Sequence, residues 1–293
     1  MAFRIAFKTS PQATDWATLD AAWAAAGELD VFDSAWLNDH LVDLVPSRGY
    51  ASYEALTLMA GLVHHVPGKW VAHGVLSNTF RHPVVLAKAA TVLDHMTGGR
   101  FILGLGAGWL ESEHKPFGIP LPPIGERIDR LVSAVGALQA LFSPEAASAP
   151  GVTRPDPFYP LAGAVNAPPP ITPGGPPIYL GGQKRRGIEL AARSAQGWVM
   201  PGDRAGDVDY LSDRRDALMR DLEAAGRDGT GFGIAGQVLA GSDAAGHASA
   251  VEAGTAMIRA GATEIIIGVP ASEGPSAVQV AAREVAEPLR EAA

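Results

Sequence analysis

An aspartate and a histidine stand side by side at Asp39-His40, directly behind the apolar run VFDSAWL. A histidine trades a proton near neutral pH, and a neighbouring carboxylate can fix its tautomer or charge. The pair is therefore a candidate for general acid–base work, with His40 moving the proton and Asp39 orienting it. A second cluster follows a later apolar run: GLGAGWLESEHKPFGIP sets Gly104, Gly106 and Gly108 at alternate positions, then Trp109, Glu111, Glu113 and His114. Glycines at that density let backbone approach a ligand and offer N–H groups to an anion. The dinucleotide fingerprint G-x-G-x-x-G fails in both registers, because Trp109 or Glu111 stands where the third glycine belongs. Glu111 and Glu113 read equally well as a solvated helix start or as partners of Lys115. His64 and His65 fall at a helix end, where a cation meets the dipole favourably, and His73 lies within a strand; all three read as structural. The sequence has no H-E-x-x-H or similar spacing and no G-x-S-x-G elbow, so neither a metal site nor a serine hydrolase is assigned.

The elements that must hold these residues alternate along the chain, short β-branched or aromatic runs with Ala/Leu-rich stretches of helical spacing. The strands predicted are Phe3–Lys8, Val31–Leu37, Trp70–Leu76, Arg100–Leu105, Pro177–Leu180, Gly197–Met200, Phe232–Leu239 and Glu264–Val269. The helices are Thr14–Ala26, Tyr53–His64, Pro83–His95, Ile124–Phe142, Lys184–Ala195, Val208–Ala225, Ala245–Ala260 and Ser276–Ala292. Eight such units predict an α/β fold, a (β/α)8 TIM barrel with its ligands on the loops at the strand C-terminal ends. By that rule Asp39-His40 stands at the barrel mouth. Two loops are long: NDHLVDLVPSRGYAS after the second strand, and a Pro/Gly-rich insertion at about 144–176 between the fourth helix and the fifth strand. The insertion reads as either a disordered surface linker or a flap over a ligand.

A chain of 293 residues, 47% hydrophobic, can bury one large core, so residues 1–293 are expected to form a single barrel domain. The formal charge of -8 argues against a general nucleic-acid binder, and an acidic ligand must be met by a local basic cluster. Lys184, Arg185 and Arg186, directly after Gly181-Gly182, offer one. The absence of cysteine removes disulfides, thiolate metal sites and cysteine nucleophiles. The start MAFRIAFKTS lacks the features of a signal peptide, and no apolar run approaches membrane-span length. The chain reads as soluble and cytoplasmic, with no membrane partner.

The segments LNDH, SNTFRHPVVLAKAATVLDHMTGGRFILGLGAGWLESEHKPFGIP and PPIYLGGQ together resemble the bacterial-luciferase-like superfamily of flavin- and deazaflavin-dependent oxidoreductases, in particular the branch associated with coenzyme F420. The resemblance spans nearly the whole chain. It implies the barrel already read and a non-prolyl cis peptide in a bulge near Leu76, Ser77 and Asn78 that supports the cofactor ring. It also implies that Gly106, Ala107 and Gly108 let backbone approach the cofactor's ribityl phosphate, with Gly181, Gly182 and Gln183 as a second wall. Lys184, Arg185 and Arg186 are then expected to meet the acidic tail of F420, and Trp36, Phe80, Trp109 and Phe117 to wall the substrate pocket. Sugar-phosphate dehydrogenases of the superfamily carry an acid directly after the glycines and a Trp shortly after the Asp-His pair. Here those positions hold Trp109 and Asp43, so their substrate is not carried over. The expected activity is F420-dependent hydride transfer to or from a small organic substrate. The alternatives are an FMN-dependent monooxygenase served by a separate flavin reductase, and a flavin-binding protein without catalysis. By the same resemblance a homodimer is expected.

Overall fold

Each of the eight strands sends a side chain to the barrel axis, small ones such as Ala6, Ala72 and Ala235 beside large ones such as Trp36 and Tyr179. The computed structural model describes residues 3–45 and 51–293. Strands β1 (Arg4–Thr9), β2 (Ser34–Leu37), β3 (Trp70–His73), β5 (Phe101–Gly106), β8 (Ile178–Leu180), β9 (Gly197–Val199), β10 (Gly233–Leu239) and β11 (Glu264–Gly268) are all parallel, and the pairings β1–β11 and β3–β5 complete the ring. A short β4 (Leu76–Ser77) continues β3 along β5. Outside lie helices α1 (Trp16–Gly27), α2 (Ala55–Leu62), α3 (Pro83–Met96), α4 (Glu111–His114), α5 (Ile124–Phe142), α6 (Arg185–Ser194), α7 (Val208–Ala224), α8 (Ala244–Arg259), α9 (Gly274–Ala281) and α10 (Glu287–Ala292). The predicted (β/α)8 barrel is the fold.

The interior is filled, as a barrel of this size requires. Ala6, Trp36, Ala72, Ile102, Tyr179, Val199, Ala235 and Ile266 pack across the axis. At its N-terminal end Arg4 pairs with the fully buried Glu264 at 2.7 Å, and Glu264 also accepts from Ser34 and from the Trp36 indole at 3.0 Å. A charge so far from water persists only when paired and hydrogen-bonded. The larger core, including Phe7, Trp23, Phe32 and Phe101, lies between strands and helices.

Two expectations change. The last predicted helix is divided: a widened turn at Ala282–Ala286 separates α9 from α10, where Pro288 has no N–H to return to the preceding turn. The insertion is neither a linker nor a flap. It forms an antiparallel hairpin, β6 (Val152–Arg154) and β7 (Leu161–Ala164), fastened outside the barrel to α3 and α5. Asp156 accepts from Ser133, Asn166 donates to Thr91 at 3.2 Å, and Asp94 accepts from the Thr172 hydroxyl at 2.7 Å. The long loop after β2 is described only in part, residues 46–50 lying outside the described residues. Among those described, no helix is long and apolar enough to cross a membrane.

Candidate functional site

The mouth is organised by a bulge in the third barrel strand. Ala72 pairs with Ile102 and Leu76 with Leu105, so four steps along β3–β4 match three along β5 and one residue is extra. The peptide Gly74-Val75 is cis. The expected bulge is therefore present but earlier than Leu76–Asn78, and the bonds following Leu76 and Ser77 are not cis. Its extra bulk is the Val75 side chain, and three glycines make room for it. A Cβ at Gly104 would lie 3.2 Å from Val75 Cγ1 and 1.8 Å from the His73 carbonyl oxygen; at Gly106 or Gly181 it would lie 2.9 Å from Val75 Cγ2. Gly106 and Gly181, read from sequence as phosphate-facing, are in the first place the socket of Val75. Gly108 has φ +78°, and a Cβ there would strike the hydroxyls of Thr79 at 2.6 Å and Ser77 at 2.7 Å. Gly182 packs against Gly187 on the first turn of α6, Ala107 is partly buried, and Gln183 is exposed with its carbonyl accepting from Arg214.

Asp39 does not orient His40. It is buried and accepts a bidentate pair from Arg81 at 2.6 and 2.8 Å together with the Ser77 amide at 2.7 Å, so it pins the bulge. Arg81 also holds Glu54, the N-cap of α2. Burial pushes the Glu54 carboxyl up, but the Thr57 amide and Arg81 outweigh it and bring it to about 2. The partner of His40 is Glu113, whose oxygens lie 3.1 and 3.2 Å from Nδ1 and which also accepts the Leu41 amide at 3.0 Å. Glu113 is only 2% exposed, so neither the solvated reading nor a Lys115 partner holds. With Nδ1–H directed at the Glu113 carboxylate, Nε2 is the ring nitrogen that this pair leaves free.

A second histidine closes a directed chain. His114 Nδ1 lies 2.6 Å from the Leu110 carbonyl, which can only accept, so in the neutral ring Nε2 accepts from the Thr79 hydroxyl at 2.7 Å and Thr79 in turn accepts from Ser77 at 2.7 Å. Asn78 is buried, and its side-chain oxygen has no hydrogen-bond partner. Leu76 is fully buried in the core.

The sequence-predicted walls divide. Trp109 is exposed and stands edge-on to His40 with ring centroids 6.1 Å apart, while Phe80 faces His114 at 4.9 Å. Phe117 is exposed in the turn after α4. Trp36 is not a wall: it is fully buried, with the Gly74 Cβ position 3.0 Å from its ring, and so belongs to the floor. Beside it Lys8 donates to Gln237, a pair that the sequence reading missed although Lys8 ends the first strand in phase with Ala6. Two members of the basic cluster are already engaged, Arg185 with Glu189 at 2.7 Å and Arg186 with Asp129, while Lys184 stands exposed at the N-cap position of α6 with no side-chain capping bond. His65 pairs with Asp20 at 2.7 Å. His73 is buried with Nε2 on the Ala55 carbonyl at 3.1 Å, and burial holds it down at about 4 despite that hydrogen bond.

A profile of the luciferase-like monooxygenase family matches residues 7–291. An F420-dependent glucose-6-phosphate dehydrogenase of Kribbella flavida is 30% identical over 247 residues, covering 77% of this chain and 72% of that protein. A phthiodiolone/phenolphthiodiolone dimycocerosates ketoreductase of Mycobacterium tuberculosis is 28% identical over 185 residues, 57% of this chain and 46% of that protein; the match thus spans about half the length of that relative. Among solved structures, an F420-dependent secondary alcohol dehydrogenase holding an F420-acetone adduct superposes with a TM-score of 0.80 at 17% identity, covering 99% of this chain and 100% of the other. The long-chain alkane monooxygenase LadA superposes with a TM-score of 0.77 at 16% identity over 99% of this chain and 92% of the other.

Proposed function

Because the chain belongs to the luciferase-like monooxygenase family, we propose that it is an oxidoreductase that binds coenzyme F420 across the barrel mouth and moves a hydride between the deazaflavin and a small organic substrate. The observation that carries this reading is the His40–Glu113 pair, adjoining Asp39, which holds the Ser77 amide at the end of the bulge. Two features fit a flavin-type ring. The unpartnered, buried Asn78 oxygen would accept an imide N–H, and the Val75 bulge, braced by three glycines and by Asp39 on the Ser77 amide, would offer a stiff apolar seat. When bound, the deazaflavin supplies a carbon that accepts or gives hydride. The protein's own part is a proton at His40 Nε2, held in one tautomer by Glu113, and a wall at Trp109 that limits water. Support for F420 over FMN comes from the F420-dependent relative matched over most of this chain. Lys184, Arg185 and Arg186 would meet the acidic tail, and the solvent-exposed ion pairs of Arg185 and Arg186 are weak enough to exchange for it.

Titrating apoprotein with F420 and FMN side by side, by quenching of cofactor fluorescence, tests this. F420 is expected to bind at least tenfold more tightly, about 1.4 kcal/mol. A tenfold preference for FMN overturns the assignment and points to oxygen-dependent chemistry.

A further inference from the structure

Lys8 forms part of the floor of the mouth. Arg4, Ala6 and Lys8 share one face of β1, and Ala6 belongs to the interior layer, so Lys8 points into the barrel at its C-terminal end. It lies level with Trp36 on β2 and Gly268 on β11. Its ammonium donates to the Gln237 side-chain oxygen, while the Gln237 amide nitrogen donates to the Met200 carbonyl. This second bond fixes which end of the amide faces the lysine. The groups facing Lys8 are Trp36 from β2, Gln237 from β10, Gly268 from β11 and Gly202 after β9, whose Cβ position is 3.7 Å from Nζ. Among the described residues no carboxylate pairs with it. The interior acid, Glu264, lies at the opposite end of the barrel and is taken by Arg4, Ser34 and Trp36. Burial with no compensating charge brings the Lys8 amine down to about 8. An ammonium offers three donors, and Gln237 takes one of them, leaving two available to a ligand.

We propose that Lys8 is an oxyanion-binding residue of the mouth, its ammonium aimed by Gln237 at a negatively charged oxygen of the molecule seated over the barrel axis. That oxygen belongs either to a carboxylate or enolate of the substrate or to the pyrimidine half of the ring. The inference rests on the reading of the mouth as an oxidoreductase site and extends it to substrate class.

The test compares wild type with Lys8→Met, which keeps the side-chain length, and with Gln237→Leu, which removes the steering group. Each is titrated with F420 by fluorescence at pH 7 and pH 9.5, and with oxalate by calorimetry, with and without cofactor. If the oxygen is the cofactor's, Lys8→Met binds F420 at least tenfold more weakly, and wild-type affinity falls towards that of the variant at pH 9.5. If it is the substrate's, F420 binding is unchanged and oxalate binding drops at least tenfold in Lys8→Met. Gln237→Leu is expected to shift the same titration in the same direction. Failure of wild type to bind either F420 or FMN overturns the cofactor assignment, and oxalate binding to apoprotein then decides the role of Lys8. Folded Lys8→Met and Gln237→Leu variants with wild-type affinity for both probes overturn the proposal.

Discussion

His40 and Glu113 show how much a pair of side chains depends on a contact distant in sequence. The adjacency of Asp39 and His40 suggested a couple, yet neighbouring residues of an extended segment point to opposite sides. Asp39 turns to Arg81 and the Ser77 amide while His40 turns to Glu113. The histidine was legible from its place behind a strand, whereas its partner depends on how the loop after β5 folds, which spacing does not encode. Replacing His40 by Gln is expected to slow turnover about 100-fold or more while leaving F420 affinity within a few-fold, as for a lost general acid or base. An equal loss of affinity would make the residue a binding group instead. Glu113→Gln tests the positioning role separately. It keeps the shape but removes the charge that holds the imidazole in one tautomer, so kcat should fall while F420 affinity stays within a few-fold. Asp39→Asn acts elsewhere, unpinning the bulge from Arg81, and should appear mainly as weaker cofactor binding.

At the scale of elements the barrel was readable because each βα unit carries its own period, and the predicted helix Ile124–Phe142 coincides with α5. The bulge was not placed correctly because an extra residue is defined by the opposite strand: only the register against β5 shows that it falls before Leu76. The insertion misled for a different reason. Its Pro/Gly content resembles a linker, while its anchors, Asp156, Asn166 and Thr172, are single polar residues whose partners lie on distant helices. The glycines give an element-scale prediction. A Cβ at Gly104 would sit 1.8 Å from the His73 carbonyl of the neighbouring strand, a backbone atom that cannot move without separating β3 from β5. Gly104→Ala is therefore expected to destabilise the protein by about 3 kcal/mol or more in urea unfolding, in the range of severe overpacking. Gly125→Ala is the contrast: nothing lies within 4 Å of its Cβ position in the first turn of α5, so the change should be neutral or stabilising by up to about 1 kcal/mol. Similar losses at both positions would show that the contact with His73 is not what makes Gly104 necessary.

For the molecule as a whole, a buried histidine and a partly buried lysine with lowered proton affinity make stability depend on pH in separate windows. His73 is held at about 4 against an ordinary 6.5. Between those values the unfolded chain takes a proton that the folded chain refuses, so stability falls as pH drops from 6.5 to 4 and this contribution is then spent. Lys8, at about 8 against 10.5, behaves alike in the alkaline range. Between pH 10.5 and 8 only the unfolded chain binds the proton, so stability falls as pH drops through that window, and below pH 8 the folded protein carries the full penalty. A displacement of that size corresponds to about 3 kcal/mol at most. Other groups titrate in the same region, Tyr179 among them with its phenol raised by burial, so the contribution must be read as a difference between variants. Lys8→Met removes the penalty while keeping an unbranched chain of similar length, so little packing is lost. Its melting temperature is therefore expected to exceed that of wild type at pH 7, with the gap closing as pH rises towards 10.5. Thermal melts of the two proteins at half-unit pH steps measure this directly. A constant gap across the range would mean that Lys8 titrates as an ordinary lysine, and that its amine reaches water freely rather than waiting at the floor of the mouth for an anion.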